Sequence, residues 1–204
     1  MKITQDLIED IRDEIRDRVE DSGKYLPLVV FGLVSEGFSL TEISEIKIGN
    51  IDTNIRVIIK DDHPCVLSNE TNNDIIKYIE STTEVKIIRM LLNNIGGLRL
   101  YEIGRYFGLD DPGGWSGLKY NYLNRLIDDG AIGEVTTGKI KRYVTTEGMA
   151  NDFINHLYLT RFRSDQKSSG ESLRGHFKKA LEISDMDPSL TPKYFKKNCL
   201  PMIS

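Results

Sequence analysis

The stretch Leu98–Gly148, LRLYEIGRYFGLDDPGGWSGLKYNYLNRLIDDGAIGEVTTGKIKRYVTTEG, runs through two helical stripes, a turn between them and a short basic hairpin. In Leu98–Leu109, the apolar residues Leu100, Ile103 and Phe107 share one helical face, and Gly108 stands where a helix would stop. Asp110-Asp111-Pro112-Gly113-Gly114 reads as the turn, and a second helix is predicted from Trp115 to Asp129 with Leu118, Tyr122, Leu123 and Leu126 as its inward stripe. Gly130 closes that helix. Ile132–Thr136 and Ile140–Thr145 then read as two strands joined at Thr137-Gly138-Lys139. Upstream, Glu84–Asn93 places Val85, Ile88, Leu91 and Leu92 at helical spacing, and Ile95-Gly96-Gly97 breaks it.

The outward face of the Trp115–Asp129 helix carries Ser116, Lys119, Tyr120, Asn121, Asn124 and Arg125, and no acidic residue occurs from Gly113 to Ile127. Lys and Arg neutralise phosphates or reach guanine, while Asn and Tyr hydrogen-bond base edges and backbone, so these residue types suit a DNA groove. Lys139, Lys141 and Arg142 cluster at the hairpin, either as a phosphate grip or as an ordinary solvated tip. The order of elements over residues 82–155 resembles the winged helix-turn-helix of MarR-like transcription regulators. The closing pattern of that family, Tyr-x-x-Thr-x-x-Gly after a Gly-Lys wing, is matched by Tyr143, Thr145 or Thr146, and Gly148. The resemblance implies double-stranded DNA as the partner, a recognition helix in the major groove and a homodimer.

A second resemblance lies on either side. Tyr25–Val34 is strongly apolar and reads as a buried helix, and Gly37–Asp52 (GFSLTEISEIKIGNID) follows it. Glu42, Ile46, Lys47, Ile51 and Asp52 fall in the register of the opening of a tyrosine recombinase (phage integrase) catalytic domain, but Ser39 stands where that family has its first catalytic Arg. Ile55–Ile59 and Cys65–Leu67 are then the expected hairpin, Asn73–Ile79 the next helix, and Lys60 lies near the family's hairpin lysine. After the winged helix, Ser172–Asp187 reads as the helix before the family's His-x-x-Arg box. There Thr191-Pro192 matches the lead-in while Lys193 and Lys196 replace the His and the Arg. The family's nucleophilic Tyr has no counterpart before Ser204. Strand cleavage needs that nucleophile and a cationic cluster around the phosphate, so the resemblance implies a shell that binds without cutting. Lys193, Lys196 and Lys197 remain possible phosphate contacts, or simply exposed positions on a tail helix.

The fold class expected is therefore mainly α with small β hairpins, α+β, with the winged helix joined to or inserted in a helical recombinase-like domain. The domains are an amphipathic N-terminal helix at 1–22, a helix and hairpin domain at 23–81, the winged helix at 82–160, a linker at 161–170 and a C-terminal helical segment at 171–204, which either stands alone or completes the recombinase-like front domain. In the first helix, Thr4 is the expected N-cap, and Leu7, Ile8, Ile11, Ile15 and Val19 form a stripe that packs on its own domain or on a second copy.

Up to residue 80 there are 9 basic against 17 acidic residues, and from residue 81 there are 18 against 14, so an acidic front precedes a basic back. A chain of net charge −4 with that asymmetry is expected to bind DNA modestly and mostly at low salt. Nothing approaches the run of about 18 apolar residues that a membrane span needs, and the acidic start does not read as a signal peptide, so a cytoplasmic location is expected. Cys65 and Cys199 lack metal-ligand spacing, and His63, His156 and His176 are scattered, so no metal, cofactor or catalytic triad is expected. A protein-interaction role for the winged helix is the second reading, and an active recombinase the third.

Overall fold

The computed structural model describes residues 3–20, 23–60, 63–160 and 168–198, excluding the side chains of residues 20 and 196–198. The chain divides into two units, Met1–Ser81 with Leu157–Ser204, and Thr82–His156. In chain order the first unit holds α1 (Gln5–Glu20), α2 (Leu26–Ser35), α3 (Leu40–Glu45), β1 (Ile51–Asp52), β2 (Val57–Lys60), β3 (His63–Val66) and α4 (Asn69–Ser81). The second holds α5 (Thr83–Leu92), α6 (Leu100–Tyr106), α7 (Pro112–Leu118), a π turn (Lys119–Leu123), α8 (Asn124–Asp128), β4 (Gly133–Thr137), β5 (Ile140–Val144) and α9 (Glu147–His156). The chain then returns to the first unit with α10 (Gly170–Ile183) and α11 (Pro192–Asn198). The fold is mainly helical with small antiparallel sheets, an α+β class. Among the described residues no helix is long and apolar enough to cross a membrane.

The first unit is built around α2, whose residues Pro27 to Val34 are all buried. Such an all-round apolar helix is stable only when other helices enclose it, and α1, α4, α10 and α11 do so. Phe31 of α2, Phe177 of α10 and Phe195 of α11 form an aromatic triad with ring centroids 5.3 to 6.1 Å apart. The Thr4 hydroxyl accepts from the Leu7 N–H at 3.3 Å, capping α1, and Ile8, Ile11, Ile15 and Val19 are buried in the unit's own core. The stripe considered as a dimer face is thus already covered.

One charged cluster crosses this core. Arg12 of α1 lies 3.5 Å from Asp74 of α4, and both side chains are nearly inaccessible. Arg12 donates to the Thr71 hydroxyl at 2.6 Å, and Thr71 donates to Glu36 at 2.7 Å. Gly32 of α2 makes room for the guanidinium, since a Cβ there would lie 3.0 Å from its Nη2. Burial pushes the Asp74 carboxyl above its usual range, although Arg12 and Arg16 pull it the other way.

The expected boundaries need three corrections. The segment expected to form a winged helix is a unit that ends at His156 rather than 160, because Leu157 and Leu159 pair with the first unit through Ile48 N–H to Leu157 O at 2.9 Å and Leu159 N–H to Ile46 O at 2.8 Å. Residues 1–22 and 23–81 are one unit rather than two, and of the two alternatives for the C-terminal segment it is the one that joins the front domain, since α1 and α10 both pack on α2. Of the expected linker, 161–167 lies outside the described residues, while Ser168 is buried against Thr160 and Ser169 caps α10.

In the second unit, α5 buries Val85, Ile88 and Leu91 as the spacing requires, together with Ile87 and Met90. The break after it leads to Leu98, which pairs with Tyr143 of β5 through hydrogen bonds of 3.0 and 2.8 Å. The third helix starts at Pro112, not Trp115. Asp111 accepts from the Gly114 N–H at 3.0 Å as N-cap, and Pro112 at the first helical position needs no N–H partner, so the pair of glycines lies inside the first turn.

Candidate nucleic-acid interface

The α7, π-turn and α8 segment is one helical rod from Pro112 to Asp128, and the π turn sets its faces. Leu118, Leu123 and Leu126 are buried, and the five-residue step from Leu118 to Leu123 keeps both inward only because a π turn bonds across five residues. Tyr122, expected in the inward stripe, is half-buried.

The rod is anchored to α6 by Trp115. Its indole lies against Gly104, where a Cβ would come within 2.3 Å of the ring, and its Nε1–H donates to the Leu109 carbonyl at 2.7 Å. Only glycine permits this approach.

Of the predicted contacts, Ser116, Tyr120 and Asn121 are exposed, Tyr120 by 73%. Lys119 and Asn124 are half-buried. Ser116 spends its hydroxyl proton on the Pro112 carbonyl at 2.9 Å.

Arg125 needs correction as an outward contact. Its Nη2 lies 2.9 Å from Oε1 of Glu84, a carboxylate with only 4% of its side chain exposed, and its Nε lies 3.6 Å from Asp129. A buried carboxylate requires a charged partner, so this guanidinium is held between α5 and the rod.

The hairpin pairs Gly133 with Val144 through Thr137 with Ile140, leaving Gly138 and Lys139 as a two-residue turn. Gly138 takes a φ of +64, as the first position of a II′ turn requires. Lys139 is exposed at the tip. Lys141 pairs with Glu134, its diagonal neighbour across the hairpin, at 2.7 Å, and that hydrogen bond raises its pKa. Arg142 donates to the Gly97 carbonyl at 2.8 Å, which ties β5 to the segment after α5. It is therefore a structural residue as much as a candidate contact.

Arg105 was not expected in this surface. It is exposed on α6, with its guanidinium 5.5 Å from the centroid of the Tyr101 ring, which itself lies 6.2 Å from the Trp115 ring. The Tyr101 to Arg105 spacing of one helical turn was the available signal. The unit also exposes apolar groups at Tyr106, Val135 and Ile140.

Charge divides differently once the units are known. Residues 82–156 carry nine Lys and Arg against nine Asp and Glu, while residues 157–204 carry nine against five. The basic surplus of the second half therefore belongs to the C-terminal segment of the first unit.

No family model, curated protein or solved structure matches this chain.

In the first unit, Ser39 accepts from the Glu42 N–H at 3.3 Å, and the Glu42 carboxylate accepts from the Ser39 N–H at 2.5 Å, forming a capping box on α3. Lys60 of β2 forms an ion pair with the same carboxylate. A groove of about 630 Å³ brings Ser39 together with Thr191 and Lys193. Lys193 is exposed on α11, and the side chains of Lys196 and Lys197 lie outside the described residues.

Proposed function

We propose that this chain is a non-catalytic DNA-binding protein whose second unit acts as a winged helix. In this reading the α7 to α8 rod enters the major groove, and the β4–β5 hairpin rests on phosphate or in the minor groove. The observation that carries it is the acid-free face of the rod, where Ser116, Tyr120 and Asn121 are exposed beside the half-buried Lys119, in the same unit as a hairpin tipped by Lys139. The topology supports it too, since three helices precede an antiparallel hairpin whose second strand is bridged by Leu98, two residues before α6 begins. Lys141 contributes part of its charge, with Glu134 as its competing partner.

The biological role inferred is transcription regulation or DNA architecture, with a recombinase-like body as the first unit. Support for that body comes from convergence: Ser39 and Lys193, which occupy the Arg and His positions of two separate motifs of the resemblance, line one groove, while Lys60 and Glu42 line a neighbouring one that shares Phe38. The non-cutting reading rests on Ser39 and Lys193 standing where the family has Arg and His. A homodimer would double the phosphate contacts of a unit whose own charge is balanced.

The test is fluorescence anisotropy of a labelled random duplex across a salt series, comparing the native protein with Lys139→Ala/Lys141→Ala. Each phosphate contact contributes a slope of about −0.9 to log K against log salt, so the variant should flatten the slope by up to about 1.8. An unchanged slope would remove the hairpin from the interface.

The neutral charge of residues 82–156 and the exposed Tyr106, Tyr120, Val135 and Ile140 favour a second reading, in which this unit binds a protein partner. Absence of duplex binding at low salt would select it.

A further inference from the structure

The groove of about 630 Å³ in the first unit has a chemistry that the DNA reading does not use. Its volume falls in the range of small-molecule sites, about 300–1,000 Å³. Phe38, Leu40 and Pro192 supply an apolar lining. Arg174 of α10 and Lys193 of α11, both exposed, put two cations on it, and among the described residues no carboxylate lines it.

Two hydroxyls complete the lining. The Ser39 oxygen accepts from the Glu42 N–H at 3.3 Å, and the Thr191 oxygen accepts from the Tyr194 N–H at 3.2 Å. A hydroxyl whose oxygen already accepts can still donate its proton. The groove therefore offers cationic and hydroxyl donors beside an apolar surface.

We propose that this groove binds a small organic acid, a monocarboxylate with an apolar body. The carboxylate takes charge-assisted hydrogen bonds from Arg174 and Lys193 and neutral ones from Ser39 and Thr191. The body of the ligand covers Phe38, Leu40 and Pro192, which a bare phosphate would leave in water. The neighbouring pocket differs in kind, since Glu42 and Glu45 line it with Lys60, and an anion would meet carboxylates there.

The test is isothermal titration calorimetry of the full chain with decanoate, with decanol and inorganic phosphate as controls. Arg174→Gln and Lys193→Gln serve as variants, and both side chains are exposed, so the fold should survive, as circular dichroism would verify. The expected result is saturable binding of one decanoate, at least about tenfold tighter than decanol or phosphate, and weakened about tenfold by either substitution. Decanol binding as tightly would make the groove merely apolar, and phosphate binding as tightly would make it merely anionic. Either outcome, unchanged affinity in both variants, or no decanoate binding at all would overturn the proposal.

Discussion

Replacing Arg125 by Met should destabilise the second unit enough to imitate a loss of DNA contact. Glu84 keeps 4% of its side chain exposed and Arg125 keeps 22%, with 2.9 Å between the charged atoms. Removing one partner of a buried pair costs about 3–5 kcal/mol, because the remaining charge is left unpaired. Partial access of water to Arg125 argues for the lower end, about 3 kcal/mol. A unit spanning Thr82–His156 has a total stability on the order of 4–11 kcal/mol. Arg125→Met should therefore lower Tm by roughly 12–24 °C, at 4–8 °C per kcal/mol for a domain of this size. The assay is urea unfolding followed by the emission of Trp115, the chain's single tryptophan, which lies in this unit. A double variant, Glu84→Leu with Arg125→Met, removes both charges and should recover to within about 1 kcal/mol of the native protein. That double variant should also retain duplex binding. The reasoning is refuted if the single variant costs under about 1 kcal/mol, or if the double variant is as unstable as the single one. If the double variant is stable but no longer binds duplex, Arg125 is a contact after all.

Gly104→Ala would normally gain about 1 kcal/mol of helix propensity, yet here it should cost about 2 kcal/mol, since its Cβ would meet the Trp115 ring at 2.3 Å. Red-shifted Trp115 emission together with a lower urea midpoint would verify it. In the first unit, Arg12→Met should cost about 3 kcal/mol by leaving the buried Asp74 to the more exposed Arg16 at 3.4 Å, and Arg12→Met with Asp74→Leu should restore most of it, read by circular dichroism during urea unfolding. Burial, aided by the nearby Lys179 charge, holds the His176 pKa below its usual 6.5. The neutral form is therefore favoured on folding, the unfolded chain binds the extra proton first, and stability should fall as pH drops below about 6.5. His176→Gln should flatten that dependence in urea midpoints taken between about pH 5 and 7.

Periodicity located most helices because the signal was local. The α1 stripe, the apolar α2 and the capped start of α1 at Thr4 all follow from spacing and composition alone. Boundaries failed where side-chain capping decided them: Asp111 and Pro112 draw Gly113 and Gly114 into a helix that their glycine content argued against. The π turn was invisible because Leu118, Tyr122 and Leu123 also fit an ordinary stripe. Long-range partners were the other gap. Nothing near Arg125 in the sequence announces Glu84, 41 residues earlier, and nothing near Arg142 announces the Gly97 carbonyl. The charge asymmetry misled for the same reason, since a linear count cannot know that residues 157–204 pack with the N-terminal unit.

The most direct test of the DNA reading is an NMR titration of the isotope-labelled protein with a short duplex at low salt, following backbone amides. The largest shifts are expected at Ser116–Asn121 and Gly138–Lys141, disappearing together as salt rises. Shifts confined to the basic segment after residue 157, or no shifts at all, would contradict it.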